Sequence, residues 1–131
     1  MRFHIHSFLA TVLFLVAFCL ASSDVCAVTC DMLGMNVDDA RTKLRRASDE
    51  TDLDAAKDYA RRAKSALEDA AMSAMDCRCS MAHIEFDNAA SYARRARDAG
   101  TAEEFVSALN RAIDAFNSAL NALRSCTSGF R

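Results

Sequence analysis

The sequence predicts an all-α protein, an up-down-up-down four-helix bundle built from two tandem αα-hairpins and stapled by disulfides at one end. Three observations lead there. The chain of 131 residues has no proline and only 3 glycines, which favours helices joined by brief connections and leaves strands no foothold. Apolar residues recur at alternating three- and four-residue spacing, as in a heptad seam. Residues 30–77 also overlay residues 79–126 without a gap, at a shift of 49, placing Cys30 on Cys79 and Cys77 on Cys126. The same overlay matches Met32 with Met81, Asp38 with Asp87, Ala40 with Ala89, Arg45-Arg46-Ala47 with Arg94-Arg95-Ala96, and Asp49 with Asp98. Further along it matches Arg62-Ala63 with Arg111-Ala112, Ala66 with Ala115, and Ala70 with Ala119, making thirteen identities in forty-eight positions. Abundant alanine and arginine produce some of these, but not two cysteine pairs at one separation. A tandem duplication is therefore expected, repeat one being 30–77 and repeat two 79–126, with its seam at Cys77-Arg78-Cys79.

Residues 1–27 stand outside this scheme. Arg2 precedes an apolar run from Phe8 to Leu20, followed by the small, polar Ala21-Ser22-Ser23-Asp24, which is the pattern of a secretory signal peptide. Cleavage after Ala21, Ser23 or Ala27 fits small residues at the processing site. Cleavage after Ala27 removes Cys19 and Cys26 and leaves an even set of four cysteines, suited to an oxidising compartment. The expectation is a secreted or periplasmic domain at 28–131, without a membrane anchor, since no stretch has the length of a bilayer span. With 16 Lys and Arg against 18 Asp and Glu, the charge balance gives no electrostatic case for nucleic acid.

The first helix reads Leu33, Val37, Ala40, Leu44, Ala47 along its seam, with an extended lead-in near Cys30 and Asn36 as a candidate cap. Thr51 with Asp54 signals the start of the second, whose seam is Leu53, Ala56, Ala60, Ala63, Leu67, Ala70, Ala74 and Cys77. The third starts at Ser80 and runs Cys79, Ala82, Phe86, Ala89, Ala93, Ala96, with Gly100 expected to stop it in the left-handed conformation. Thr101 and Glu104 form a capping box for the fourth, which reads Ala102, Phe105, Leu109, Ala112, Phe116, Ala119, Leu123, Cys126. Val106, Ile113 and Leu120 add a second stripe to it, so the fourth helix is expected to be the most buried.

Short connections make successive helices antiparallel and bring the four cysteines to one end. Cys30 is then expected to pair with Cys77, and Cys79 with Cys126. Each staple would close a long loop and stabilise by about 4 kcal/mol on the chain-entropy account. The topology resembles that of the disulfide-bearing helical inhibitors of plant pectin methylesterase and invertase, although their proline-containing amino-terminal hairpin has no counterpart here. That resemblance implies a secreted helical enzyme inhibitor.

No catalytic motif is present, and the expectation is a protein that is not an enzyme and carries no cofactor. The repeated Leu44-Arg45-Arg46-Ala47, Ala60-Arg61-Arg62-Ala63, Ala93-Arg94-Arg95-Ala96 and Leu109-Asn110-Arg111-Ala112 put arginine outside the seam, as on a solvated face. Asp38, Asp39, Asp69, Glu103 and Glu104 fall on similarly polar faces, with no partner cleft for acid-base chemistry. Met32, Met35, Met72, Met75 and Met81 all lie within a few residues of a cysteine and off the seam. They either plug the end of the core or form an outer apolar surface suited to an unknown protein or apolar ligand. His83, the one histidine after residue 27, belongs with them. Were the cysteines reduced, this end would offer thiolate, thioether and imidazole, a soft set that suits Cu(I); paired cysteines remove the thiolates.

Overall fold

The computed structural model describes residues 30–128, and the expected signal peptide at 1–27 and the tail beyond Ser128 lie outside them. Four helices make up the described residues: α1 (30–49), α2 (Leu53–Asp76), α3 (Ser80–Arg97) and α4 (Ala102–Ser128), with no strand among them. α2 packs along α3 and α3 along α4, while α2 and α4 barely meet, as diagonal helices of a bundle should. Asn36 of α1 donates to Ser73 Oγ of α2 at 2.8 Å, and Arg41 of α1 lies over the Phe116 ring of α4 at 5.9 Å. α1 thus closes the four-helix bundle between α2 and α4.

The heptad seam forms the core. Every seam position in α1 is buried, as is every one in α3, and in α2 only Leu53 is half-exposed. In α4, Ala102 is exposed on the first turn, and Leu123 and Cys126 are half-buried. Eighteen of the twenty-eight buried apolar residues are alanine, so helix backbones approach closely around a few large side chains. Ala60 and Ala93 are fully excluded from solvent. Ala60→Leu is therefore expected to overpack the core and lower the free energy of unfolding by about 1 to 3 kcal/mol, measured by denaturant titration. An unchanged midpoint would contradict close packing there.

The disulfides pair Cys30 with Cys77 and Cys79 with Cys126, with Cα separations of 5.3 and 5.7 Å and a sequence separation of 47 in each case. They flank a tight turn. Arg78 N–H donates to the Met75 carbonyl and Cys79 N–H to the Ala74 carbonyl, each at 2.9 Å, which is a Schellman closure of α2. Its left-handed position, usually glycine, is taken by Arg78 at φ 60°, held by a disulfide on either side.

Several local expectations change. Residue 30 is already helical, and Asn36 does not cap α1 but reaches across to α2, because Ser73 offers a buried acceptor. α2 is capped one residue later than Thr51 suggests, by Asp52, whose carboxylate accepts from Ala55 N–H at 2.8 Å. α3 ends at Arg97, and Gly100 has no positive φ. Its N–H instead donates to Glu104 Oε2 at 2.9 Å while Glu104 N–H donates to Thr101 Oγ1 at 3.2 Å, a capping box whose return arm is displaced by one residue. α2, not α4, buries the most positions, nine against six. Val106 is exposed, and Ile113 and Leu120 are only half-buried.

Candidate functional site

At the stapled end all four helices converge, α1 and α3 with their first turns and α2 and α4 with their last. Met32, Met35, Met72, Met75 and Met81 are all exposed there, between 51% and 71%. Their phase explains it: each falls off the seam whose members Leu33, Ala74 and Ala82 fill the core. They come in pairs one turn apart, Met32 with Met35 on α1 and Met72 with Met75 on α2, and Met81 pairs similarly with exposed Ile84 on α3. Ile84 was not singled out from the sequence, although its spacing from Met81 is the same signal.

Met32 and Met72 line one shallow groove of about 340 Å³ between α1 and α2, over the Asn36–Ser73 hydrogen bond, with Asp69 and Asp76 at its rim. Met81 lies elsewhere, in a groove of about 430 Å³ between α3 and α4 that includes Ala122 and Cys126. The methionines therefore share an end of the bundle but not a single groove. His83 points away from both grooves, into the α2–α3 seam, where its Nδ1 donates to the Ala71 carbonyl at 2.9 Å.

The four cysteines among the described residues are consumed in disulfides. Among the described residues no three His, Cys, Asp or Glu side chains are grouped to hold a metal ion. A thiolate site is thus closed chemically while both staples persist.

The arginine tetrapeptides form a solvated face. Arg61 and Arg62 both pair with Asp58, at 2.7 and 2.8 Å, and Arg46 and Arg62 lie over the Tyr59 ring. Arg95 lies over Tyr92 at 5.2 Å. The hydrogen bond from Arg61 holds the Asp58 carboxyl below the usual aspartate range, and Arg97 does the same for Asp98. Both carboxylates stay ionised to lower pH than free aspartate, and their small contribution fades only as pH falls through those depressed values. No helix among the described residues is long and apolar enough to cross a membrane. No protein-family model, curated protein or solved structure matches the chain significantly.

Proposed function

We propose that this is a secreted, non-enzymatic binding protein that docks a partner on the methionine face at its stapled end. One observation carries the reading: of seven exposed large apolar side chains among the described residues, six (the five methionines and Ile84) gather at that end, and only Val106 lies elsewhere. Scattered apolar residues are ordinary on a protein surface, whereas a clustered set marks a contact region. Methionine suits the task because its unbranched, polarisable side chain repacks around different apolar shapes. The staples hold the helix ends that display it, which limits the ordering lost on binding.

Charge narrows the partner. Asp69 and Asp76 line the Met32–Met72 groove, and neither forms an ion pair among the described residues. Apolar anchors ringed by unpaired carboxylates fit an amphipathic helix with lysine or arginine beside its apolar stripe. Calorimetry with a model helical peptide of leucine and lysine tests this. The chain should bind it, and Met72→Gln combined with Met75→Gln should abolish binding while leaving the free energy of unfolding within about 0.5 kcal/mol. Binding unchanged by the double substitution, or a loss of several kcal/mol of stability, would remove the methionine face from the account.

A further inference from the structure

The two seams that join the hairpins are made of different residues. In the 49-residue overlay, Leu44, Ile113, Phe116 and Leu120 of the α1–α4 seam fall on Ala93, Lys64, Leu67 and Ala71 of the α2–α3 seam. The α2–α3 side is filled: Ala71 and Ala93 are buried, Lys64 is paired with Glu68 at 2.8 Å, and Arg97 with Asp98 at 2.7 Å. On the α1–α4 side the larger side chains instead frame a groove of about 320 Å³. That volume falls at the lower end of small-molecule sites, roughly 300 to 1,000 Å³. Its floor is buried Leu44 and Phe116, and its walls are half-buried Ile113 and Leu120.

Among the described residues the rim carries one free cation. Arg41 is already engaged, donating to Asp38 at 2.6 Å while lying over the Phe116 ring. Arg45, one turn further along α1, lines the same groove and has no ion pair or hydrogen bond among the described residues. Asp49, a turn beyond it on the same rim, is likewise unpaired. An apolar floor, one available guanidinium and a neighbouring carboxylate favour a ligand with a single negative charge and disfavour phosphate and other multiply charged anions. We propose that the α1–α4 groove binds a small amphiphilic carboxylate, with its apolar body on Leu44, Ile113, Phe116 and Leu120 and its carboxylate on Arg45. The site is separate from the methionine face and does not depend on it.

The test uses the folded, disulfide-bonded chain and 2-naphthoate, whose emission is read without tryptophan background because the chain has no tryptophan. One-to-one saturation is expected, with decanoate competing. Arg45 is exposed and unpaired, so Arg45→Gln should fold normally and weaken naphthoate binding about tenfold to a hundredfold, the worth of a hydrogen bond to a charged group. Arg94→Gln, at the matching position of the overlay, should leave binding unchanged. The neutral analogue 2-naphthylmethanol should bind more weakly than the acid and equally to the parent and Arg45→Gln chains. Absence of saturable binding, equal affinity of Arg45→Gln, equal loss in Arg94→Gln, or a neutral analogue that binds as tightly as the acid would each overturn the proposal.

Discussion

Replacing Cys30 and Cys77 together by serine should lower the free energy of unfolding by about 4 kcal/mol, because the unfolded chain regains the freedom of a loop closed over 47 residues. Replacing Cys79 and Cys126 should lower it by a similar amount, since that loop has the same separation. Against a typical domain stability of about 5 to 15 kcal/mol, losing both, about 8 kcal/mol together, is enough to unfold a domain in the lower half of that range. The two deletions should differ in their local consequences. Cys30 begins the described part of α1, whose first turns contain exposed Gly34, and of residues 30–35 only Leu33 is buried, so the staple and that one side chain restrain the end. Amide exchange should therefore report fraying of α1 through Met35 in the first variant, while the second should loosen the last turn of α4, where Cys126 is half-buried. Denaturant titration and exchange together check both parts. A stability change under about 1 kcal/mol in either variant would mean that the reduced chain keeps the loop ends together without the bond.

The seam was legible because one periodicity carries it through all four helices, and burial follows it from Leu33 to Ala119. Helix ends were less so. Asn36, Thr51 and Gly100 each match a local capping pattern, but polar residues are common in this chain and several positions compete for each end. What decides Asn36 is Ser73, 37 residues away, which no local pattern encodes. The methionines' exposure could be read from their phase, whereas their division between two grooves could not, because it depends on which helices become neighbours. The stripe Val106, Ile113, Leu120 was visible as apolar spacing and suggested a deeply buried face. Set against Leu44 rather than an alanine, its last two members stay half-exposed and wall a groove.

Phe86→Ala should cost about 3 to 5 kcal/mol, the range for removing a fully buried aromatic ring. Phe86 and Leu67 are the largest side chains with essentially no exposure, and the Phe86 ring lies 6.0 Å from that of Phe116 at a tilted angle. The neighbourhood explains why the upper part of the range is expected. A core of leucines can swing rotamers into a vacated space, but alanine has no side-chain torsion with which to do so. In α3 itself the nearest buried neighbours one turn away are Ala82, Ala89 and Ala90. Closing the cavity would require moving whole helices, and α2, α3 and α4 are held by a stapled turn on one side and a disulfide on the other. The void should persist, leaving the Phe116 ring without its partner. Phe86→Leu, which keeps most of the volume, should recover much of the loss. Urea titration of the three chains checks the series, with equal slopes required so that midpoint shifts report stability. A loss below about 1.5 kcal/mol in Phe86→Ala would show that the bundle collapses around the site, and that its alanine packing is less rigid than the staples and close helix approach imply.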